Sequence, residues 1–199
     1  MSAHAYLIDD DEAIRDSLSW LLESRGVACR SYASAEEFLS AWNASLAGCI
    51  LLDIRMEGMS GPELFDVLNE RGNRLPVIFL TGHGDVPMAV SAIKKGAFDF
   101  VEKPCNDNEL ANRVIAALQL DARQRMAASD ADSVNTLIDR LSTRERQVME
   151  RILAGKLNKV IADELAISMR TVEVHRANVF EKMGVRTAVE LAQLLASRR

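Results

Sequence analysis

The chain has little cysteine and no long hydrophobic run, and each absence excludes a class of protein. Its three cysteines are an odd number without CxxC or Cys/His ligand spacing, which argues against a disulfide framework or a structural zinc site. No apolar stretch approaches the roughly 20 residues that cross a bilayer, so we expect no membrane partner. The first residues show neither a basic flank nor a long apolar segment, so we expect no secretory signal and a cytoplasmic protein.

The composition is that of a globular protein, with 48% hydrophobic and 27% charged residues. A length of 199 residues favours two domains, because one domain usually has about 100 to 150 residues. The charge differs between the halves: residues 1–122 carry 10 Lys/Arg against 19 Asp/Glu, whereas residues 123–199 carry 14 against 10. The modest basic surplus of the C-terminal half suggests that this half meets a polyanion.

From residue 5 to residue 120, short apolar runs alternate with segments of helical period, as in βα units around a parallel sheet. The predicted strands are 5–8, 28–32, 49–52, 77–80 and 98–101. The second contains an arginine, as an edge strand would, and the third and fourth are apolar on both faces, as central strands are. Residues 121–140 predict a linker that is partly helical, and residues 141–199 predict four short helices.

Polar side chains gather at the carboxyl ends of the predicted strands. Asp9 and Asp10 follow the first strand, Asp53 the third, Thr81 the fourth and Lys103 the fifth. Open parallel sheets bind ligands at this edge, and carboxylate oxygens are preferred by Mg²⁺. Because adjacent aspartates repel one another, we expect a divalent cation beside Asp9 and Asp10. The third aspartate, Asp11, is expected at the solvated start of the first helix, where its charge favours the helix dipole.

This set of side chains suits the transfer of a phosphoryl group to Asp53. The carboxylate would be the nucleophile, Lys103 would pair with one phosphoryl oxygen, and Thr81 would donate a hydrogen bond to another. The alternative is that each aspartate caps a loop and Lys103 forms a surface ion pair. That alternative accounts for any one residue, but poorly for the whole set. His83, in the loop after the fourth strand, is more typical of a solvated side chain than of a catalyst.

Residues 141–199 predict a helix-turn-helix. We expect Thr143 to cap a first helix, a second helix from about Asn158 to Leu165, and a third that Ser168 caps and that ends near Met183. A short helix, a brief turn and a longer helix with a polar outer face form the unit whose second member lies in the DNA major groove. Composition alone favours a plain four-helix bundle with a charged surface instead.

The first 120 residues resemble the receiver domain of two-component response regulators, through the segments LIDDDEAIRDSL, LLDIRM, LTGHGD and KP. The resemblance implies an α/β, flavodoxin-like fold with a five-stranded parallel sheet in the order 2-1-3-4-5. It implies phosphorylation of Asp53 with Mg²⁺ or Mn²⁺ as cofactor, and a switch pair formed by Thr81 and Phe100. The implied metal ligands are Asp10 directly, Asp9 through water, Asp53, and the backbone carbonyl of Arg55. Glu57 departs from the pattern, since a proline is usual there.

The segments LSTRE, NKVIADELAIS and RTVEVHRANVFEKMGV resemble the NarL/FixJ-type (LuxR-type) DNA-binding domain, an all-α four-helix domain. This resemblance favours the helix-turn-helix over the plain bundle. It implies base contacts by Glu173, Val174 and Ala177, with Arg176 and Asn178 close by. Phosphate contacts are expected from Lys156, Lys159, Arg170, Thr171 and Lys182. His175 is expected to pack or to contact backbone.

The sequence thus predicts a receiver domain at 1–120, a linker at 121–140 and a DNA-binding domain at 141–199. The predicted function is that of a transcription regulator, expected to be an activator, with a sensor histidine kinase, promoter DNA and RNA polymerase as partners. Self-phosphorylation and dephosphorylation would be its only catalysis. Phosphorylation is expected to promote a homodimer through the fourth helix and fifth strand, including Val90 and Lys94.

Two alternatives remain at this stage. One is a flavodoxin-like catalyst, since that fold binds flavin phosphate at the same crevice. The segment DDDEA disfavours it, because three carboxylates repel a phosphate and no Gly/Ser/Thr-rich cradle follows the first strand. The other alternative is a regulator whose DNA binding ignores phosphorylation, which the complete set of Asp10, Asp53, Thr81 and Lys103 disfavours.

Overall fold

The structure is a computed structural model that describes residues 3–82 and 86–196. The chain divides into two compact units, residues 1–124 and residues 125–199. His83 lies outside the described residues, so the expectation for this side chain stays a prediction. Within the described residues, no helix has both the length and the apolar character needed for a membrane span.

A sheet of five parallel strands forms the centre of the N-terminal unit, as predicted. The strands are β1 (His4–Ile8), β2 (Cys29–Tyr32), β3 (Gly48–Asp53), β4 (Val77–Thr81) and β5 (Asp99–Glu102). Their order is β2-β1-β3-β4-β5, and each neighbouring pair is parallel. Every residue of β3 and β4 is buried, whereas Arg30 and Ser31 of β2 are exposed. The predicted central and edge strands are therefore confirmed.

Helices cover both faces of this sheet. They are α1 (Glu12–Ser24), α2 (Ala35–Ala41), α3 (Gly61–Glu70), α4 (Val86–Lys94) and α5 (Asp107–Asp139). Successive strand residues enter different cores: Leu7 packs with Leu22 of α1 on one face, and Ile8 packs with Phe38 of α2 on the other. Because both faces of the central strands are filled by apolar side chains, the polar side chains of β3 and β4 are left at the strand ends.

Helix α5 extends through all but the last residue of the predicted linker, to Asp139, and the division between the two units falls within it. Asp121 belongs to the sheet side of that division: it is buried, and its Oδ2 accepts a hydrogen bond of 2.9 Å from the Gly48 N–H. Val134, further along α5, is buried, and Leu137 and Ile138 near the end of the helix pack against the hydrophobic core of the C-terminal unit. The predicted bounds of the domains and of the linker stay a prediction.

The described part of the C-terminal unit contains four short helices after α5. They are α6 (Thr143–Leu153), α7 (Asn158–Leu165), α8 (Met169–Met183) and α9 (Ala188–Ala196). The predicted bounds of α7 and α8 are confirmed, and Ser168 caps α8 by accepting a hydrogen bond of 3.1 Å from the Thr171 N–H. The cap of α6 was predicted wrongly, because Ser142 holds that position and Thr143 is the first helical residue. Leu153, in the last turn of α6, is 40% exposed and so contributes little to the core of this unit.

Candidate phosphorylation site and DNA interface

Side chains from three strand ends converge at the carboxyl edge of the sheet. The Lys103 Nζ donates to Asp53 Oδ1 at 2.5 Å and to Asp9 Oδ2 at 2.6 Å. Both carboxylates are buried, with exposed fractions of 1% for Asp9 and 7% for Asp53. A lysine between two buried carboxylates supplies the charge and the hydrogen bonds that they lose on leaving water. Three of the residues predicted for phosphoryl chemistry therefore meet in space.

The electrostatics of this cluster depend on burial first. Burial raises the pKa of Asp53 above its ordinary value, the hydrogen bond from Lys103 offsets part of the rise, and the charge of Asp9 adds to it. Burial alone would lower the pKa of Lys103, but its hydrogen bonds to Asp53 and Asp9 outweigh this and raise it. The lysine therefore remains a cation, which is what allows two carboxylates to stay close together.

The start of α3 approaches the Asp53 backbone very closely, and a glycine makes this possible. A Cβ added to Gly61 would lie 2.1 Å from the carbonyl oxygen of Asp53. The Gly61 N–H donates to the Ile54 carbonyl at 3.1 Å, which ties α3 to the end of β3. Sequence reasoning missed this residue. Its signal is the glycine directly before Pro62, a helix-start proline, one short loop after the aspartate.

The loop between β1 and α1 is held by a second residue that sequence reasoning missed, Arg15. Its Nη1 donates to the backbone carbonyls of Asp9 at 2.8 Å and Asp10 at 2.9 Å. The carboxylate of Asp10 is exposed and turns to the β3–α3 loop, where its Oδ2 accepts from the Glu57 N–H at 2.9 Å. Asp11 caps α1, as its predicted place at the solvated helix start requires.

The predicted metal ligands are only partly assembled. No three His, Cys, Asp or Glu side chains among residues 3–82 and 86–196 stand close enough to hold one metal ion. Two of the three predicted carboxylates, Asp9 and Asp53, do converge on one cation, the Lys103 ammonium. Their oxygen atoms fit a hard divalent cation. Asp10 belongs to the same loop as Asp9 but is hydrogen-bonded to Glu57, and would have to leave that partner to join them.

Of the predicted switch pair, Thr81 lies beside this cluster, since its carbonyl accepts a hydrogen bond of 2.7 Å from the Lys103 N–H. Thr81 is fully buried, and its Oγ1 donates to the Gly82 carbonyl at 3.3 Å. Phe100 is half-buried against the core on the α2 and α3 face of the sheet. Both backbone polar groups of Phe100 are hydrogen-bonded. The N–H donates to Asp99 Oδ1 at 2.8 Å, and the carbonyl accepts from Arg113 Nη1 at 3.2 Å. Because Arg113 also pairs with Asp99, one network connects β5 to α5 at the aromatic residue.

The three residues predicted to contact bases lie on one exposed face of α8. Glu173, Val174 and Ala177 are all exposed, and Val174 has an exposed fraction of 53%. Residues three and four apart in a helix are neighbours on its surface, so 173, 174 and 177 form one patch. An exposed apolar side chain on such a helix suits contact with a thymine methyl group, and a carboxylate suits a cytosine amino group.

The neighbouring residues of α8 are less exposed. The Arg176 guanidinium lies 5.5 Å from the centre of the Phe180 ring, a cation–π distance. Asn178 and His175 are half-buried. The Nδ1 of His175 is buried and has no hydrogen-bond partner among the described residues, which agrees with the expectation that this side chain packs. The contributions of Arg176 and Asn178 to DNA binding stay predictions.

The residues predicted to contact phosphates differ in whether another group of the protein already binds their side chains. Lys159 and Arg170 are exposed and have no acidic partner within residues 3–82 and 86–196. Lys156 pairs with Glu164, whose pKa is lowered chiefly by that hydrogen bond. Thr171 forms part of the α8 cap, since its Oγ1 lies 2.8 Å from the capping hydroxyl. Two cations are therefore available to a polyanion without breaking an ion pair.

Lys182 is engaged inside the C-terminal unit. Its Nζ donates to Oε2 of Glu145 at 2.6 Å, and Glu145 is 3% exposed. This hydrogen bond, with that from the Ser142 N–H, lowers the pKa of Glu145 to about 2. The phosphate contact predicted for Lys182 stays a prediction, and in the structure its charge already neutralises a buried carboxylate.

Comparison with known protein families identifies both units. The response regulator receiver domain matches residues 5–115, and the luxR family of bacterial regulatory proteins matches residues 139–195. The chain is 47% identical over 196 residues to the C4-dicarboxylate transport transcriptional regulatory protein DctR of Rhodobacter capsulatus, covering 98% of this chain and 100% of that protein. It is 48% identical over 193 residues to the transcriptional regulatory protein FixJ of Azorhizobium caulinodans, covering 97% and 92%.

Solved structures agree with the predicted fold class. The response regulator StyR matches with a TM-score of 0.90 at 38% identity, covering 98% of this chain and 99% of that one. Full-length FixJ from B. japonicum matches with a TM-score of 0.63 at 41% identity, covering 100% and 98%. The flavodoxin-like catalyst is thereby excluded, since these families are regulators. The chain belongs to the response regulators that join a receiver domain to a LuxR-type DNA-binding domain.

Proposed function

We propose that this response regulator is phosphorylated on Asp53 by a sensor histidine kinase, and that phosphorylation controls its binding to promoter DNA. The observation that carries the proposal is the convergence of Asp53, Asp9 and Lys103 at one edge of the sheet. The nucleophile is buried, and a paired ammonium stands beside it. An isolated surface aspartate has neither feature.

Transfer to Asp53 requires little covalent chemistry from the protein. A carboxylate oxygen forms the new P–O bond while the P–N bond to the kinase's phosphohistidine breaks and its electron pair stays on the imidazole nitrogen. Lys103 then pairs with a phosphoryl oxygen and keeps its bond to Asp9. The Thr81 hydroxyl exchanges the Gly82 carbonyl for a second phosphoryl oxygen. The same groups serve self-phosphorylation by small phosphodonors and the later loss of the phosphoryl group.

Receiver domains in general bind Mg²⁺ for this reaction. We propose that Mg²⁺ or Mn²⁺ would be held here by the carboxylates of Asp10 and Asp53 and the carbonyl of Arg55, and by Asp9 through water. When bound, the ion withdraws negative charge from the phosphoryl oxygens. The support is the pair of buried carboxylates that already face one cation, Lys103. Arg15 holds the loop that carries Asp9 and Asp10, and so keeps these side chains at the sheet edge.

The proposed response to phosphorylation runs through Thr81 and Phe100 to α4. When Thr81 turns to the phosphoryl group, the half-buried Phe100 ring turns inward, and β5 and α4 shift. Helix α4 exposes apolar side chains, among them Val90 with an exposed fraction of 42%, next to the exposed Lys94. Such a surface suits a homodimer. Two joined helix-turn-helix units read half-sites about one helical turn apart, which one unit alone does not.

The C-terminal unit is proposed to read promoter DNA with Glu173, Val174 and Ala177 and to hold phosphates with Lys159 and Arg170. DctR and FixJ are named transcriptional regulatory proteins. By that likeness we propose that this chain activates transcription together with RNA polymerase. A bacterial promoter as target places the protein in the cytoplasm.

One set of measurements on the wild-type protein and on Asp53→Asn tests the proposal. The full-length protein is treated with a small phosphodonor and Mg²⁺, and the intact mass, the sedimentation and the affinity for duplex DNA are measured. We expect one labile phosphoryl adduct that chelation of Mg²⁺ or Asp53→Asn prevents, together with dimer formation and tighter DNA binding. An adduct that persists in Asp53→Asn would assign another acceptor. Full DNA affinity in Asp53→Asn would support the regulator that ignores phosphorylation.

A further inference from the structure

The end of α8 is connected to the start of α6 by an ion pair whose carboxylate is buried and whose lysine reaches it from the surface. Glu145, in the first turn of α6, is 3% exposed, and the Lys182 Nζ near the end of α8 donates to its Oε2 at 2.6 Å. The two residues are 37 positions apart in the chain. Val148 of α6 and Met183 of α8 belong to the same hydrophobic core. The ion pair therefore lies at the end of the apolar interface between these two helices.

The Glu145 carboxylate also maintains the cap of α6. Its Oε2 accepts from the Ser142 N–H at 2.7 Å, and its own N–H donates to the Ser142 Oγ at 3.3 Å. One oxygen therefore connects the cap of α6 with the last turn of α8. Removing Lys182 alone would leave a buried carboxylate without its cation, which is far costlier than removing both partners.

Lys182 does not lie on the base-contacting face of α8. At 100° per residue it stands about 140° round the helix from Ala177, whereas Glu173 and Val174 flank Ala177 within about 60°. A phosphate contact by Lys182 would have to compete with Glu145 for a charge that the unit already uses. Its position suits a contact that holds the helix, not one that touches bases.

We propose that Lys182 is a positioning residue for DNA recognition. With Glu145 it fixes the end of α8 against α6, and so sets the angle at which Glu173, Val174 and Ala177 enter the major groove. The inference rests on the proposed function, since it takes those three residues to face bases. It assigns Lys182 no contact with DNA.

The test compares salt dependence, because only a residue that meets a phosphate changes the slope of log affinity against log salt. The probe is a labelled duplex that the phosphorylated wild-type protein selects from a random pool, with a scrambled duplex beside it. Lys159→Gln serves as the matched control and should lower the slope by about 0.9. Lys182→Gln should weaken binding to the selected duplex about tenfold, comparable to losing one base contact, with an unchanged slope.

Two further variants keep the test decisive if Lys182→Gln folds poorly. Lys182→Arg can still donate to Glu145 and should restore binding to the selected duplex to within about twofold. The double variant Glu145→Gln with Lys182→Gln leaves no buried charge unpaired and should bind better than Lys182→Gln alone. Arginine would also restore a contact with a phosphate, so the double variant is the discriminating one: a residue that only met a phosphate would show no rescue there.

The outcomes separate the inference from the function on which it rests. A slope that falls equally in Lys182→Gln and Lys159→Gln, without rescue in the double variant, would overturn the inference and leave the DNA-binding proposal standing. A wild-type protein that selects no duplex would refute the proposed function and the inference together. An unchanged slope with rescue by Glu145→Gln supports the positioning role.

Discussion

The two functional regions of this molecule use charge in opposite ways. At the sheet edge, Asp9, Asp53 and Lys103 are buried or half-buried and satisfy one another. On the helix-turn-helix, Lys159 and Arg170 are exposed and lack an acidic partner in the described part of the chain. Chemistry at a phosphoryl group needs groups that are already in place, whereas a polyanion needs cations that are free. Pairing therefore marks the first region, whereas the second combines paired cations with two, Lys159 and Arg170, that lack an acidic partner in the described part of the chain.

Removal of the cation from the buried cluster is expected to have the largest effect. Lys103→Gln removes the cation from between Asp9 and Asp53, and we expect the rate of phosphorylation by a small donor to fall about 10²- to 10³-fold, as for the loss of one preorganised charge-stabilising donor. Lys95→Gln is the control, since Lys95 pairs with exposed Asp66 away from the site. Intact mass against time measures both. A rate in Lys103→Gln near that of the control would remove Lys103 from the reaction.

The second test asks whether the backbone under Asp53 matters as much as its partners. Gly61→Ala places a Cβ where the Asp53 carbonyl oxygen now lies, 2.1 Å away. We expect the N-terminal unit to lose about 3 kcal/mol of unfolding free energy, because neither helix nor strand can shift cheaply. Urea unfolding followed by tryptophan fluorescence reports this, since Trp20 and Trp42 both lie in that unit.

Gly72→Ala provides the matched control for this substitution. Gly72 has a φ of +76° but no atom within 4 Å of an added Cβ, so only the backbone conformation opposes a side chain there. Its cost should be about 1 kcal/mol. Equal costs at the two glycines would mean that the close approach at Asp53 is relieved by small movements.

The N-terminal region was largely predictable because strand ends leave a clear pattern. Runs 49–52 and 77–80 lie within the observed β3 and β4, and parallel strands end at one edge, so Asp9, Asp53 and Lys103 had to meet. The orientation of Asp10 was not predictable. Its carboxylate accepts from a backbone N–H 47 residues away, and a backbone donor has no signature in the sequence.

The C-terminal region was predictable in its helices but not in its charges. A lysine on a polar helix face looks the same whether it meets solvent, a phosphate or a buried carboxylate, so Lys182 could not be told from Lys159. The carboxylate did leave one signal. Ser142 and Glu145 are spaced as a capping box, which would have placed the cap at Ser142 in preference to Thr143.

A third prediction concerns the pH dependence of the stability of the C-terminal unit. Glu145 has a pKa lowered from 4.5 to about 2, so its stabilising contribution is complete above about pH 4.5 and is lost as the pH falls towards 2. The wild-type protein should lose about 2 kcal/mol relative to Glu145→Gln over that range, a value discounted because Lys182 is 39% exposed. Helical circular dichroism during urea unfolding measures it, with tryptophan fluorescence following the N-terminal unit separately.

Glu164→Gln is the control for the pH series, because Glu164 is a more exposed carboxylate on the same unit that also pairs with cations. Its variant should track the wild-type protein much more closely between pH 4.5 and pH 2. If wild type and Glu145→Gln lose stability in parallel, the ion pair with Lys182 contributes nothing beyond the surface pairs.

The smallest expected effect distinguishes free from paired cations at the DNA surface itself. Arg170 has no acidic partner among the described residues, so Arg170→Gln should weaken binding a few-fold on selected and scrambled duplexes alike and lower the salt slope by about 0.9. Lys156 already pairs with Glu164, so its charge is partly neutralised within the protein. Lys156→Gln should therefore lower the salt slope by clearly less than Arg170→Gln does. Fluorescence anisotropy over a salt series measures both slopes.

If the two slopes fall equally, the ion pair between Lys156 and Glu164 opens on DNA at little cost. An ion pair in the free protein would then not mean that its cation is unavailable to a phosphate. A fall for Arg170→Gln alone would show that pairing in the free protein predicts which cations meet phosphates.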